Sequence, residues 1–179
     1  KEAGQIVHSN ATRLDWDKVC QKDNDSEVYI LGNPPYLGST MQNAQQKNDM
    51  AFVLGDLPKY KNLDYISCWF KKGVDYIKKN NCKCAFVTTN SITQGEQVAL
   101  LWPYVFENNI EIFFSHMSFK WTNNAKKNAG VTVAIIGLRN ISQSQKFIYS
   151  DNNIISTSNI NAYLSPGRNV IVHKRALPL

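Results

Sequence analysis

A short apolar run that ends in two consecutive prolines constrains the fold of this chain more than any other feature. The run occupies residues 28–32, and Asn33-Pro34-Pro35-Tyr36 follows it directly. Each proline fixes φ at about −65° and lacks a backbone N–H, and the residue before a proline is held extended. The chain therefore cannot continue here as a helix. The pattern predicts a buried strand over residues 27–32 that stops at a rigid turn.

The turn offers groups that can hold an exocyclic amine against a flat ring. The side-chain oxygen of Asn33 and the carbonyl oxygen of Pro34 are two acceptors on a stiff backbone, and Tyr36 supplies an aromatic face. Ligands of open α/β sheets bind beyond the carboxyl ends of the strands, where this turn falls. These groups suit methyl transfer to an amino nitrogen of a planar substrate. A strand followed by a polyproline turn without function is the alternative that four residues alone leave open.

The bulk composition is that of a folded domain with a basic surface. The 179 residues are 43% hydrophobic and 19% charged, and their formal net charge is +6. That charge suits a polyanionic partner. The basic group from Lys120 to Lys127, interleaved with Phe119 and Trp121, has the character of a nucleic-acid surface. No apolar run approaches ~20 residues, so no membrane span is predicted.

The cysteines give no metal-binding pattern. Cys82 and Cys84 are separated by one residue, Cys20 and Cys68 stand alone, and no second pair has zinc spacing. We therefore predict free thiols in a reducing cytoplasm and no metal site. Because residue 1 is Lys rather than Met, we interpret the sequence as a fragment of a longer polypeptide.

Strands and helices alternate along the chain, which predicts an α/β fold with a mostly parallel sheet. The predicted strands cover residues 5–8, 27–32, 83–89, 110–115, 131–138 and 146–149. The predicted helices cover residues 63–79, capped by Asn62, and 96–106, which Pro103 kinks or interrupts. Residues 38–60 are predicted to be a long loop with short helical pieces, and residues 150–170 a linker. No helix separates the strands at 110–115 and 131–138, so this late pair is predicted to be antiparallel.

The helix predicted over residues 63–79 has a single apolar stripe. Its members recur at helical spacing and are Ile66, Trp69, Phe70, Val74 and Ile77. We interpret this stripe as core packing.

Four segments together carry a resemblance to a known family. They are residues 10–16 (Asn-Ala-Thr-Arg-Leu-Asp-Trp), 31–39 around the diproline turn, 88–97, and 116–126 with the strand that follows to residue 137. In this order they resemble gamma-type DNA adenine-N6 methyltransferases. More narrowly, they are similar to the MmeI-like group (type IIG/IIL) of restriction-modification enzymes, and the likeness covers roughly residues 5–140.

The resemblance implies a partial Rossmann-like class I methyltransferase sheet whose first strands are missing. Residues 1–149 would be the C-terminal part of the catalytic domain, and residues 150–179 a linker toward an absent target-recognition domain. The family's glycine-rich cofactor loop has no counterpart, since none of the nine glycines forms a Gly-x-Gly. The site for S-adenosylmethionine is therefore expected to be incomplete, and the fragment alone inactive. The strand at residues 5–8 would lack its natural neighbour, so we expect it to fray or to pair elsewhere.

The resemblance also implies roles for individual residues. Asn33, Pro34, Pro35 and Tyr36 would form the catalytic turn, holding and stacking the target base. Asp15 and Trp16, together with Asn33, would bind the cofactor, beside a helix wall at residues 66–70. Phe119, Trp121 and Lys120 would contact the substrate, with Phe119 or Trp121 closing the other face of the base.

The implied enzyme is a site-specific, adenine-specific DNA methyltransferase of the bacterial cytoplasm. Its partner would be double-stranded DNA with a flipped adenine, and the remaining parts of the same polypeptide would complete it. Asp15 or Asp49 as a general base is possible but unnecessary. Three alternatives stay open: methylation of guanine N2 in RNA, methylation of a protein glutamine, and a non-catalytic assembly module that retains the fold. Asp15 as a turn cap and Phe119 or Trp121 as hairpin packing are the corresponding structural interpretations.

Overall fold

The computed structural model describes residues 4, 6–22, 26–78, 80–121 and 131–173, without the side chains of Lys120, Trp121 and Val131. The helices of this described part are α1 (Trp16–Val19), α2 (Ala44–Leu54), α3 (Ser67–Ile77) and α4 (Gly95–Glu107). Its strands are β1 (Val28–Gly32), β2 (Cys82–Thr89), β3 (Ile110–Trp121), β4 (Val131–Asn140), β5 (Lys146–Ser150) and β6 (Asn153–Thr157). No helix within the described ranges has the length and apolar character to cross a bilayer.

The six strands form one mixed sheet in the order β1-β2-β4-β3-β5-β6. β1 is parallel to β2, and β3 is parallel to β5. β4 runs antiparallel between β2 and β3, and β6 is antiparallel to β5. The predicted α/β fold class, mostly parallel with an antiparallel late strand, is therefore confirmed.

β1 lies at the edge of the sheet, and its burial differs from the sequence prediction. The strand is present, but its side chains alternate instead of being buried throughout: Tyr29 is 55% exposed and Leu31 is 76% exposed. Successive side chains of a strand point to opposite faces of the sheet, so Tyr29 and Leu31 share one face, which the described residues leave largely uncovered. The short strand predicted for residues 5–8 is not formed over Ile6 to His8, where Ile6 is 96% exposed. Gln5 lies outside the described residues.

α3 packs against β2 through the predicted apolar stripe. Ile66, Phe70, Val74 and Ile77 are buried, and the Phe70 ring contacts that of Phe86 on β2 at 5.5 Å between centroids. The helix begins at Ser67, four residues later than predicted, because residues 63–66 are used for contacts with the chain after β1. Ile66, not Asn62, occupies the N-cap position.

α4 is continuous from Gly95 to Glu107, so Pro103 does not end it as the sequence analysis allowed. The helix buries Trp102, whose ring lies 6.0 Å from that of Phe70 on α3. The two helices therefore share one core on the same side of β2.

The long loop predicted for residues 38–60 is wrong in its central part, where α2 forms an eleven-residue helix. Asn43 and Gln46 make a reciprocal capping box at its start, which satisfies two backbone N–H groups. Met50, Val53 and Leu54 bury one side of the helix. This packing needs few apolar positions on α2. The rest of the segment is rich in Gln, so its sequence shows no apolar pattern from which a helix could be predicted.

Residues 150–170 contain more structure than the linker predicted for them. β6 forms a hairpin with β5, and Ile160, Ala162 and Leu164 are buried in the core beyond it. The side chains of β6 itself are mostly exposed, so its sequence lacks the alternation that marks a half-buried strand. That residues 150–179 lead toward a target-recognition domain stays a prediction.

Candidate active site

The turn Asn33-Pro34-Pro35-Tyr36 leaves the sheet at the carboxyl end of β1. The pairing of β1 with β2 ends at Gly32 opposite Phe86, so Pro34 lies outside the ladder. Asn33 is exposed, Pro34 is buried, and Tyr36 is half-buried with part of its side chain against the core. Within the described part of the chain, neither the Asn33 side chain nor the Pro34 carbonyl oxygen makes a hydrogen bond. Both acceptors are free for a ligand.

The chain immediately after this turn is fixed by hydrogen bonds to the segment before α3. The Leu37 N–H donates to Asp64 Oδ1 at 2.9 Å, and the Tyr65 N–H donates to the Leu37 carbonyl at 3.0 Å. Gln42 Nε2 donates to the carbonyl oxygens of Leu37 (3.1 Å) and Leu63 (3.0 Å). The position of Tyr36 therefore depends on a buried polar network rather than on the two prolines alone.

Asp64 is the acidic centre of that network. Burial raises the pKa of its carboxyl, although the backbone N–H groups of Ile66 and Leu37 oppose the shift. Its own N–H donates to Gln97 Oε1 on α4 at 2.9 Å. Asp64 therefore links the diproline turn to both core helices.

A cavity of about 760 Å³ adjoins the turn and extends along β1. Asn33 and Pro34 line the end of the cavity that is next to the turn. The rest of its lining is largely apolar or aromatic and includes Leu14, Trp16, Val28, Ile30, Trp69, Tyr76 and Phe86. This volume is within the range of cofactor sites, which are concave and mostly apolar with a few polar groups.

The structure brings two of the three predicted cofactor residues to this cavity, Trp16 and Asn33. Asp15 is not among the described residues that line it. Instead Asp15 is exposed and caps α1, its carboxylate accepting a hydrogen bond from the Asp17 N–H at 3.1 Å. Trp69, a lining residue, stands in the apolar stripe that the sequence analysis assigned to the core. Its helical spacing gave no sign that it faces a cavity, although the resemblance placed residues 66–70 beside the cofactor.

Trp16 is held in the cavity wall by the segment before it. Its Nε1 donates to the Ala11 carbonyl at 2.9 Å, and Lys72 Nζ stands 5.3 Å from its ring. The same lysine donates to the Leu14 carbonyl at 2.7 Å. These contacts tie residues 10–16 to α3.

Asp49 on α2 anchors the same segment from inside. Its carboxylate accepts hydrogen bonds from Asn10 Nδ2 (2.9 Å), Arg13 Nε (2.7 Å) and the Tyr65 hydroxyl (2.8 Å). Burial alone would raise the pKa of Asp49, but these three donors hold that pKa below its usual range. The oxygens of Asp49 are thus committed to structural contacts with Asn10, Arg13 and Tyr65.

Phe119 lies on β3, which is separated from β1 by β2 and β4 in the same sheet. Between His116 (opposite Ile135) and Phe119 (opposite Val133), β3 has one more residue than β4, which is a β-bulge. Val133 also pairs with Thr89 at the carboxyl end of β2, so Phe119 stands at the same end of the sheet as the turn. Three strand spacings, about 14 Å, separate β3 from β1. The half-buried Phe119 ring contacts His116 edge-on, with 5.0 Å between centroids.

Lys120 and Trp121 pair through their backbones with Thr132 and Val131, but their side chains, like residues 122–130, lie outside the described residues. Their predicted contacts with the substrate stay predictions. In the part of the chain that the structure describes, no group of three or more His, Cys, Asp or Glu could hold a metal ion.

Comparison with known proteins gives the class of this domain. A family described as MmeI, DNA-methyltransferase domain, matches residues 1–150. The mixed sheet and the diproline turn at the end of β1 agree with a DNA-methyltransferase domain. The chain belongs to the MmeI DNA-methyltransferase domain family, which confirms the resemblance stated above.

Individual relatives agree with this assignment. DNA methyltransferase A of Bacillus subtilis (strain 168) is 46% identical over 178 residues, which are 99% of this chain and 20% of that protein. The Type IIL restriction-modification enzyme MmeI, solved in complex with DNA, is 42% identical with a TM-score of 0.89. That match covers 97% of this chain and 24% of the MmeI chain. The chain thus spans about a quarter or less of the length of these relatives.

Proposed function

We propose that this domain methylates the N6 amine of adenine in double-stranded DNA, with S-adenosylmethionine as the methyl donor, as part of a restriction-modification enzyme. The proposal depends on one observation: two free acceptors, the Asn33 side-chain oxygen and the Pro34 carbonyl, belong to residues that line the 760 Å³ cavity. Membership of the MmeI family supports DNA as the substrate. The relatives, a DNA methyltransferase and a restriction-modification enzyme bound to DNA, support the same conclusion.

The cavity fits the adenosyl part of such a donor. Trp16, Ile30 and Trp69 would contact it through apolar and aromatic surface, and Asn33 would lie at the end next to the substrate. When bound, the donor supplies an activated methyl group. No Asp or Glu is among the described residues that line the cavity, so an acidic partner for the ribose hydroxyls is not found within this part of the chain.

The chemical work of the domain's own residues is to hold and orient the target amine. A primary aromatic amine has two N–H groups, and the Asn33 side-chain oxygen and the Pro34 carbonyl oxygen can each accept one. Acceptance of both hydrogens draws the nitrogen lone pair out of conjugation with the ring and directs it toward the methyl group. Because the two prolines fix the backbone, both acceptors are oriented before the substrate arrives, and catalysis rests on orientation and electrostatic preorganisation.

The base must leave the duplex to reach these acceptors, at a cost of a few kcal/mol. Stacking on Tyr36, with Phe119 at the opposite face, offsets about 1–3 kcal/mol for each aromatic contact. Tyr36 is held by the network around Leu37 and Asp64, and Phe119 by the bulge of β3. The two rings are therefore presented by rigid elements.

The proposal is tested in the full-length parent enzyme with an Asn33→Ala variant and a labelled methyl donor. We expect methylation to be lost while donor affinity stays within about threefold, since the variant removes one of two amine acceptors and leaves the apolar wall intact. Asn153→Ala, an exposed asparagine on β6, is the matched control. Methylation by Asn33→Ala at the wild-type rate would show that the clamp is misassigned.

Parallel assays with DNA, RNA and protein substrates separate this function from its alternatives. Nucleoside analysis of the DNA product should give N6-methyladenine. Methyl transfer to RNA guanine or to a protein glutamine, but not to DNA, would overturn the proposal. A lack of methyl transfer to all three substrates would also overturn the proposal.

A further inference from the structure

A second cavity, of about 550 Å³, opens close to the catalytic turn and differs from the first in having basic side chains in its lining. Ser39 and Thr40 form one wall, immediately after the turn. Lys47 and Asn48 from α2 form another, and Lys61 belongs to the helical turn before α3. No carboxylate is among the described residues that line this cavity, which we call the basic pocket.

The basic pocket is built on the same network that fixes the catalytic turn. Gln42, a buried lining residue, joins two walls by donating from Nε2 to the Leu37 and Leu63 carbonyls. Ser39 follows Tyr36 by three residues, so their Cα atoms lie within about 11 Å of each other. The pocket is therefore close to the stacking ring along the chain, and the hydrogen bonds of Gln42 hold its walls in place.

The two lysines of the basic pocket are available for a ligand. Lys47 and Lys61 are exposed, and neither side chain makes a hydrogen bond or ion pair with another described residue. Other lysines are committed: Lys71 and Lys78 pair with Asp75, and Lys83 pairs with Glu27. The pocket thus concentrates uncompensated positive charge next to the motif.

We propose that the basic pocket binds the sugar–phosphate backbone of the DNA strand that carries the target adenine. Lys47 and Lys61 contact the phosphodiester, and the hydroxyls of Ser39 and Thr40 and the amide of Asn48 complete the donor set. Such contacts position a duplex without reading its sequence. The volume exceeds that of a lone phosphate and accommodates a nucleotide unit. This inference rests on the proposed function, because it assigns part of the surface for the same substrate.

The first test uses the salt dependence of DNA binding by the full-length parent enzyme with Lys47→Gln/Lys61→Gln. Each lost lysine–phosphate contact reduces the slope of log K against log salt by about 0.9. The double variant should therefore lose about 1.8 units of slope, so that its affinity deficit is about 12-fold larger at 50 mM than at 200 mM salt. Lys59→Gln is the matched control, because Lys59 is an exposed, unpaired lysine two residues from Lys61 that lines a different cavity. It should keep the wild-type slope.

The second test locates the contact on the DNA. A neutral methylphosphonate is placed singly at each phosphate that flanks the target adenine. One position should weaken wild-type binding but have no further effect on the double variant. Donor affinity equal to wild type verifies that the variant is folded.

The outcomes separate this inference from the proposed function. Wild-type enzyme that neither binds nor methylates DNA overturns the function, and the basic pocket loses its ligand with it. Wild-type enzyme that methylates DNA, together with an unchanged salt slope in the double variant, overturns the basic-pocket inference alone.

Discussion

The Ser118 hydroxyl donates a hydrogen bond of 2.7 Å to the Asn90 side-chain oxygen, joining the bulge of β3 to the turn that follows β2. Bulges redirect the side chains next to them, and this one lies directly before Phe119. The contact therefore ties the predicted base-stacking ring to the carboxyl end of β2.

From this relationship we expect Ser118→Ala to slow single-turnover methylation by the full-length enzyme. A side-chain hydrogen bond contributes about 1 kcal/mol net, which corresponds to about fivefold in rate if Phe119 loses its position. Fluorescence of 2-aminopurine at the target position reports base extrusion separately from chemistry. Ser150→Ala, in the β5–β6 hairpin, is the control. Wild-type values of both the rate and the fluorescence would contradict a positioning role for Ser118.

Tyr36 should affect DNA turnover through its ring and not through its hydroxyl. We expect Tyr36→Ala to lower turnover by about 5- to 150-fold, since it loses about 1–3 kcal/mol of stacking. Tyr36→Phe should retain most of the activity. Titration of the methyl donor should give affinities within about threefold of wild type for both variants. Equal losses in the two variants would assign the effect to the hydroxyl and contradict the stacking role.

Trp69 should affect binding of the methyl donor and not binding of DNA. Its ring lines the large cavity and contacts Tyr65 edge-on, with 5.3 Å between centroids. We expect Trp69→Leu to weaken donor binding by about 2- to 12-fold, the equivalent of 0.5–1.5 kcal/mol of aromatic contact. DNA affinity measured without the donor should not change. Phe147→Leu, an exposed aromatic residue on β5, is the control, and a donor affinity unaffected by Trp69→Leu would remove Trp69 from the site.

Asp49 should contribute stability that depends on pH. Its folded-state pKa is held below the unperturbed value of about 3.9 by Asn10, Arg13 and Tyr65, so its contribution is present above that value and is lost as the pH falls through the folded pKa. Asp49→Asn should lower the free energy of unfolding by about 2 kcal/mol at pH 7, the scale of hydrogen bonds to a charged group. Denaturant unfolding of the chain at pH 7 and at pH 3 measures this.

The difference between wild type and Asp49→Asn should shrink at pH 3. Exposed Asp151→Asn, in the turn of the β5–β6 hairpin, serves as the comparison, because its side chain makes no ion pair with another described residue. A difference that stays constant or grows toward low pH would mean that the network does not stabilise the ionised carboxylate.

Elements that bury a continuous apolar pattern could be predicted from the sequence, and those that depend on polar contacts could not. β2 and α3 follow from their apolar runs, and the stop at Gly32 follows from the two prolines. α2 was missed because its packing needs few apolar residues, although the Asn43–Gln46 capping box is visible in the sequence. β6 was missed because an edge strand that is mostly exposed leaves no alternation in its residues.

The site shows the same division. The turn at Asn33 and Pro34 could be predicted, since two prolines restrict the backbone whatever surrounds them, and its role as a clamp stays a prediction. The supporting contacts of Gln42 and Asp64 join residues more than twenty positions apart, and no local pattern predicts them. Trp69 shows the limit of helical spacing, which identifies an apolar face but not whether that face meets a core or a cavity.

One five-residue strand, β1, forms a wall of the large cavity, and the turn proposed to hold the target amine follows it directly. If the cavity holds the donor as proposed, the separation of the donor and acceptor sites is set by the covalent geometry of this strand, over roughly 17 Å, and not by the docking of independent parts. Under the proposed function, the surfaces that recognise the DNA sequence can therefore change during evolution. Such changes alter which nucleotide is bound but not the distance between the methyl donor and the target amine.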